Sequence, residues 1–153
     1  MTAAERISAG GRVPAIEVAD TGGKALRLAP PKGRPLLLFW FAPRSRPAEA
    51  AAPWVRELHE EYGRKGVAVV GLAVPMEPDP AAAAEKFRKR HRWRFPVAVD
   101  EGALLVRRFG AEAGVPKVAI VGPDGLLAYV RAGVDPDEVE ATLDRLLLKG
   151  ETR

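Results

Sequence analysis

The feature that most constrains the fold is an unbroken apolar run, Pro35–Phe41, with the sequence P-L-L-L-F-W-F. A strand with one face in water alternates polar and apolar side chains, whereas a strand covered on both faces is apolar throughout. Val67–Val74 is a second run of this kind. The two runs therefore predict buried strands in a sheet that carries helices on both faces.

The order of the remaining elements indicates the class of fold. Two short strands around the turn Asp20–Gly23 come first, and alternating strands and helices follow, as parallel crossover units require. One of these helices is expected to begin at Asp79, an N-cap acid before a first-turn proline. The chain closes with a hairpin about Gly122–Gly125 and a helix that Asp135 caps. These elements predict an α/β fold: a mixed central sheet with helices on both faces and an N-terminal β extension. We expect residues 1–12 to form a flexible arm and residues 13–149 a single domain.

Composition excludes several kinds of chemistry, above all because none of the 153 residues is cysteine. Such a chain has no disulfide, no cysteine-ligated zinc, no iron–sulfur cluster and no thiolate nucleophile. It has only two histidines, His59 and His91, so we expect no metal site and no cofactor. The lack of asparagine and glutamine fits a thermophile that avoids thermolabile side chains, although a GC-rich genome gives a similar bias.

The sequence shows no segment directed to a membrane. Met1–Ile7 lacks the basic stretch and following apolar stretch of a signal peptide. No apolar run approaches the roughly 20 residues of a membrane span. We therefore expect a cytoplasmic protein that makes no membrane contact. The net charge of +4 permits an acidic partner without requiring one.

The segment Trp40–Ala48 reads W-F-A-P-R-S-R-P-A. It resembles the active-site strand and loop of TlpA-type thiol-disulfide oxidoreductases in the thioredoxin-like superfamily, which read F-W-A-x-W-C-x-P-C. Ala42 and Pro47 match this pattern. Ser45 stands where the attacking cysteine is expected, and Ala48 stands where the resolving cysteine is expected.

A second segment resembles the same family. Gly114–Gly125 reads G-V-P-K-V-A-I-V-G-P-D-G and is similar to the family's G-V-P-T-x-x-x-I-D-x-x-G, with Lys117 in place of threonine. In the family, the proline that matches Pro116 is normally cis and lies beside the active site. The backbone before it, here Val115, pairs with extended substrate peptides. The resemblance covers residues 10–148 and implies a thioredoxin-like fold.

The related peroxiredoxins of the AhpC/TSA redoxin family share this scaffold, and their signature P-x-x-x-T-x-x-C is also incomplete here. When the signature is aligned from Pro43, Pro47 stands at the threonine position and Ala50 at the cysteine position. The resemblance thus implies an oxidoreductase scaffold without the residues of its thiol chemistry.

Ser45 and its neighbours form the candidate site. Ser45 is either a new nucleophile, which needs a general base nearby, or a helix N-cap, which the sequence favours. Arg44 and Arg46 flank it, and their forked donors at a helix N-terminus suit a carboxylate or a phosphate. The alternative is that they are solvated surface charges. We predict no catalytic residue and no metal ligand, and a binding face made of Arg44, Ser45, Arg46, Pro47, Val115 and Pro116.

The densest basic run, Arg88–Arg94, contains Trp93. Basic side chains with an interleaved aromatic suit nucleic acid or a membrane surface. A helix C-terminus also attracts cations through its dipole, and the sequence favours this second interpretation. We do not expect nucleic-acid binding.

Two functions from different classes follow from these observations. One is a redox-inactive thioredoxin-like protein that binds a peptide or a small anion on the former active-site face, by strand-like pairing with the loop before Pro116. The alternative interpretation of the loop before Pro116 is that the chain needs it only to fold. The other is a thiol-disulfide oxidoreductase or peroxiredoxin-type enzyme, implied by the family, that works without cysteine. The oligomeric state stays open.

Overall fold

The structure is a computed structural model that describes residues 6–151, with side chains as far as residue 148. Its strands are β1 (Ile16–Ala19), β2 (Ala25–Leu28), β3 (Leu36–Phe41), β4 (Ala68–Ala73), β5 (Val97–Val99), β6 (Lys117–Val121) and β7 (Leu127–Ala132). Its helices are α1 (Arg46–Gly63), α2 (Pro80–Arg90), α3 (Leu104–Arg108) and α4 (Pro136–Glu151). A short 3-10 turn, Glu101–Ala103, leads into α3.

The central sheet has the strand order β5-β4-β3-β6-β7. β3 pairs in parallel with β4, and β4 with β5, whereas β6 runs antiparallel to both β3 and β7. β1 and β2 form a separate antiparallel pair. The mixed central sheet and the N-terminal β extension predicted from the sequence are therefore confirmed.

The unbroken apolar run in β3 has a direct explanation in the packing. Leu37 and Phe39 belong to a core that also contains side chains of α1, α2 and α4. Leu38 and Trp40 belong to a second core on the opposite face, which α3 and the β1–β2 pair help to cover. Because successive side chains of a strand point to opposite faces, both sets are removed from water, which explains why the strand is apolar throughout.

The predicted helix starts are confirmed by capping contacts. Asp79 Oδ1 accepts a hydrogen bond from the backbone N–H of Ala82 at 3.2 Å, at the start of α2. Asp135 Oδ1 accepts one from the N–H of Glu138 at 3.1 Å, at the start of α4. Each capping carboxylate accepts from a backbone N–H of the first helical turn that has no partner within the helix.

Part of the segment expected to form an arm lies against the domain. Residues 1–5 of that segment lie outside the described residues, but Ile7 is only 5% exposed. Its N–H donates to the carbonyl of Arg108 at 2.7 Å, and its carbonyl accepts from Gly110 at 2.8 Å. Further along, the N–H of Leu127 donates to the carbonyl of Gly11 at 2.8 Å. One apolar side chain and these backbone hydrogen bonds dock the segment onto α3 and β7.

Candidate functional site

The topology brings the two halves of the predicted binding face to one end of the sheet. Trp40 in β3 is the register partner of Lys117 in β6. The chain that leaves β3 toward α1 therefore lies beside the chain that enters β6. The peptide bond between Val115 and Pro116, just before β6, is cis.

Ser45 is the N-cap of α1, as the sequence favoured. Its backbone is extended, with φ −85° and ψ 149°. Its Oγ accepts a hydrogen bond from the N–H of Ala48 at 3.2 Å and donates to the carbonyl of Ala42 at 2.9 Å. Both roles of the hydroxyl are thus occupied by the backbone.

Neither histidine serves as a base for Ser45. The ring of His59 packs against Phe95, with centroids 5.2 Å apart. His91 Nε2 lies 2.9 Å from Glu49 Oε1, and the His91 ring packs at a tilt of 47° against the ring of Phe87, with centroids 4.3 Å apart. A serine nucleophile needs an adjacent group to take its proton. Within the described part of the chain, the hydroxyl of Ser45 hydrogen-bonds only to backbone groups, and no side chain is placed to take its proton.

The charges around the start of α1 are mixed. The Arg44 side chain is 85% exposed, and its Nε lies 3.7 Å from Oε1 of Glu77. The Glu77 side chain is only 11% exposed, and its Oε2 has no hydrogen-bond partner among residues 6–148. Arg46 is exposed and forms no ion pair with that part of the chain. The face therefore presents the unpaired guanidinium of Arg46 and, separately, an Arg44–Glu77 pair in which one carboxylate oxygen has no partner.

The helix N-terminus contributes little to anion binding here. Pro47 has no N–H, the N–H of Ala48 donates to Ser45 Oγ, and that of Glu49 donates to the carbonyl of Ser45. A helix start binds anions through free N–H groups. Within the described chain, the backbone N–H of Arg46 is the one N–H of this first turn that stays free. Any anion held here would depend on the arginine side chains.

The backbone of Val115 is free at the same face. Neither its N–H nor its carbonyl forms a hydrogen bond with the residues that the structure describes. The following carbonyl, that of Pro116, accepts from Gly133 at 2.6 Å and is occupied. The Val115 side chain packs against the core that contains Trp40. A fixed residue with one free donor and one free acceptor suits pairing with an extended chain.

Lys117, which replaces the threonine of the family, is a buried cation. It is 1% exposed, and its ammonium donates to the carbonyls of Val106, Phe109 and Glu112. Burial lowers the pKa of this ammonium below its ordinary value, and the charge of Glu112 opposes that shift. The carbonyls of Val106 and Phe109 lie at the C-terminal end of α3, where a positive charge is favoured.

Asp100 is the matching buried anion at the other end of α3. It is fully buried and accepts hydrogen bonds from Trp40 Nε1 at 3.0 Å and from the N–H groups of Leu105 and Val106, both at 2.8 Å. Burial raises the pKa of this carboxyl, and the three hydrogen bonds act in the opposite direction. Asp100 and Lys117 thus hold a helix of five residues at its two ends.

Sequence reasoning missed both of these buried charges. Lys117 stands out in the sequence only as a departure from threonine, Asp100 does not stand out at all, and neither is expected inside the core. The available signal was position: Asp100 follows the apolar strand β5, and Lys117 opens the apolar strand β6. Charged side chains are almost never fully buried unless they are paired, so position alone did not identify them.

We expect Lys117→Met to destabilise the protein. The variant removes a buried charge but leaves three inward-facing carbonyls unpaired, which costs more than the burial of lysine. The expected loss is about 1–3 kcal/mol in the free energy of unfolding, measured by urea denaturation at neutral pH. Lys24→Met, at an exposed turn, is the control. Equal stabilities of the two variants would contradict this account of Lys117.

Two further features of the described residues concern membrane-spanning helices and clusters of metal-ligating side chains. Among residues 6–151, no helix combines the length and hydropathy that crossing a bilayer requires. Within the same range, no three histidine, aspartate or glutamate side chains come together as a metal site. The cytoplasmic location and the thermophilic source stay predictions.

A mixed five-stranded sheet, with a capped helix directly after its central strand and a cis-proline loop beside that cap, defines a thioredoxin-like protein. A putative thioredoxin from Neisseria meningitidis superposes with a TM-score of 0.77 at 19% identity over 92% of each chain. A thioredoxin-family thiol:disulfide interchange protein from Chlorobium tepidum gives 0.73 at 19% identity, covering 89% of this chain and 95% of the other. At such identities these likenesses show the fold alone.

The chain belongs to the AhpC/TSA family, whose model matches residues 9–130. Thiol-disulfide oxidoreductase ResA of Bacillus thuringiensis subsp. konkukian is 27% identical over 146 residues, which cover 95% of this chain and 82% of the relative. Peroxiredoxin Q from the chloroplast of Oryza sativa subsp. japonica is 27% identical over 134 residues, 82% of this chain and 59% of the relative. The family membership and the resemblance inferred from the sequence are confirmed.

Proposed function

We propose that this chain is a redox-inactive thioredoxin-like protein that binds an extended acidic peptide. The binding surface, called here the peptide face, consists of Arg44, Ser45, Arg46, Pro47, Val115 and Pro116. The observation that carries the proposal is the free backbone of Val115, at the end of the sheet where β3 leads into the start of α1 and the exposed Arg46. The family scaffold keeps its recognition edge while the two positions of its thiol chemistry hold serine and alanine.

The proposed lack of redox activity follows from the chemistry of these two positions. Thiol–disulfide exchange proceeds by attack of a thiolate on a disulfide sulfur and passes through a mixed disulfide. The hydroxyl of Ser45 is too weakly acidic to attack in this way, and the methyl group of Ala48 cannot resolve an intermediate. An enzyme that used Ser45 in another reaction would need a base, and the histidines are engaged elsewhere.

The free groups of the peptide face suit a peptide better than a simple anion. The first turn of α1 offers few free N–H donors, and the carboxylate of Glu77 beside Arg44 opposes a compact anion. Val115 instead presents one donor and one acceptor, the pattern that a strand-like peptide matches. Arg46 adds a guanidinium for an acidic side chain of that peptide.

We expect short acidic peptides on an array to bind the native protein more strongly than neutral or basic ones. Arg46→Glu should weaken this binding by about tenfold, because a charge-assisted hydrogen bond becomes a repulsion. Proline placed in the peptide at the position that pairs with Val115 should weaken binding as well, since proline has no N–H. The readout is fluorescence of labelled protein on the array.

Arg27→Glu is the matched control, because Arg27 is exposed on β2, outside the peptide face. It makes the same change of charge and should leave peptide binding unaltered. The proposal fails if Arg27→Glu weakens binding as much as Arg46→Glu, if no peptide position is sensitive to proline, or if no acidic peptide binds.

A further inference from the structure

A second candidate site, independent of the peptide face, lies at the opposite end of α1. It is a cavity of about 480 Å³ between the last turns of α1 and the segment that follows α2. Its lining begins at Arg56, ten residues after the first residue of α1, so at 1.5 Å per residue roughly 15 Å of helix separates the two sites. Charged side chains dominate its lining: Arg56, Glu60, Arg64, Arg92 and Arg94, together with His59.

The backbone after α2 sets the direction of two of these arginines. Arg92 has a φ of 56°, in the left-handed region that a non-glycine residue seldom adopts. The next residue, Trp93, is 1% exposed, and its Nε1 donates to the carbonyl of Ala52 at 3.1 Å. This buried tryptophan anchors the segment to α1, and the exposed residues on either side of it, Arg92 and Arg94, line the cavity.

Three guanidinium groups at the cavity lack a carboxylate partner. Arg56 pairs with Glu60, with Nε 3.4 Å from Oε2. The other three form no ion pair with the described chain, residues 6–148: Arg64, Arg92 and Arg94. The C-terminal end of α1 carries about half a negative charge from the helix dipole, which offsets only part of three positive charges. The cavity is therefore an electropositive hollow.

The positive surface does not extend along the rest of the basic run. Arg88 is bound by Glu85 at 2.7 Å, and Lys89 lies 3.9 Å from the same carboxylate. Arg90 pairs with Glu49. Trp93 is buried and presents no face for a base to stack on. Nucleic acid needs a continuous basic surface, which these ion pairs interrupt.

Carboxylates also lie along the border of the cavity on the side of α1. A neighbouring hollow shares Arg64 and Glu60 with the cavity and is lined in addition by Glu57, Glu61 and Lys65, so carboxylates outnumber cations there. Such a border repels a long polyanion but leaves room for a compact one. His59 contributes an imidazole whose pKa is lowered by burial, so near neutral pH it adds a hydrogen-bonding group with little charge.

We propose that this cavity binds a small polyanion with two or three linked phosphate groups. Arg64, Arg92 and Arg94 converge from two segments of the chain, and each guanidinium can hold one phosphate through two parallel hydrogen bonds. The linked phosphates of a free polyphosphate and of a nucleoside triphosphate share this chemistry. The site extends the protein's function beyond peptide recognition and does not depend on it.

Isothermal titration calorimetry with inorganic tripolyphosphate at low salt tests the proposal. Arg92→Gln/Arg94→Gln should weaken binding by about 100-fold, since each lost charged contact costs about tenfold or more. Arg27→Gln/Arg145→Gln removes the same charge from exposed positions elsewhere and should change affinity by less than about twofold. All four side chains are exposed, so both variants should keep the native thermal unfolding curve.

A titration with ATP distinguishes the sources of the phosphate chain, and titrations with orthophosphate and with duplex DNA test its specificity. ATP as tight as tripolyphosphate would support recognition of the phosphate chain alone, and ATP clearly tighter would support a nucleotide in the same cavity. The proposal is overturned if tripolyphosphate shows no saturable binding, if both double variants lose affinity equally, or if orthophosphate binds as tightly. It is also overturned if duplex DNA binds more tightly than tripolyphosphate and loses affinity in the same variant.

Discussion

Introducing cysteine at both degenerate positions, Ser45→Cys with Ala48→Cys, is expected to produce a protein that reduces insulin in the presence of dithiothreitol. The native chain is expected not to exceed dithiothreitol alone. The first introduced thiol would occupy the N-cap of α1, and the second would lie three residues on, where the Ala48 N–H now meets Ser45 Oγ at 3.2 Å. Turbidity from precipitating insulin measures both rates.

The physical reason for this gain is the field at the helix start. A cysteine at a helix N-terminus beside arginines has a pKa below its usual value of about 8.5. With a pKa near 7, roughly half of the thiol is thiolate at neutral pH, whereas with the usual pKa of about 8.5 only a few per cent is thiolate. We therefore expect a rate about tenfold above that of dithiothreitol alone.

Single variants serve as controls for this experiment. Ser45→Cys alone has no resolving thiol, so its mixed disulfide with insulin is resolved only by dithiothreitol from solution, and reduction should be slower than with the double variant. Ser45→Ala should behave as the native chain does. A folded double variant without activity would show that the scaffold has lost more than its two thiols. Activity of the native chain above Ser45→Ala would contradict its proposed redox inactivity.

Asp100→Ala is expected to be the most destabilising single substitution discussed for this protein. It leaves the indole N–H of Trp40 and the N–H groups of Leu105 and Val106 buried without an acceptor. The expected loss is about 3–5 kcal/mol in the free energy of unfolding, measured by urea denaturation at neutral pH. A loss of that size is a large part of the stability of an ordinary domain.

Two further substitutions show whether this loss comes from the hydrogen bonds of Asp100. Asp100→Asn keeps one acceptor oxygen but turns an NH₂ group toward a backbone donor, so an intermediate loss is expected. Glu101→Ala changes an exposed neighbour and should shift stability by no more than about 0.5 kcal/mol. If Asp100→Ala unfolds at the same urea concentration as Glu101→Ala, the assigned contacts do not stabilise α3.

Most of the fold could be predicted because its signals are local. The apolar run of β3 indicated that both of its faces are covered, and the two cores on either side of the sheet account for it. Asp79 and Asp135 marked helix starts through contacts with residues only three positions away. A cap or a buried strand depends on a few neighbouring residues, so the sequence contains the whole signal.

The site was predictable only in part. Ser45 and Ala48 were recognised because they fall within one short motif. The family resemblance pointed to the backbone of Val115, but the sequence does not show whether that backbone is free, because hydrogen-bond pairing depends on the register of strands far apart in the chain. The hydrogen bond between Trp40 and Asp100 joins residues 60 positions apart, and no sequence pattern within either segment predicts it.

By itself the sequence determined the class of fold, the family resemblance and the absence of any thiol side chain, since strand burial, helix caps and residue type are local properties. Only the tertiary structure decided which charges are free. Arg88 and Arg94 look alike in the basic run, yet Arg88 is bound by Glu85 while Arg94 lines an electropositive cavity beside the end of α1. Electrostatic interaction depends on distance in space and on exclusion of water, and both are set by segments that meet only after folding.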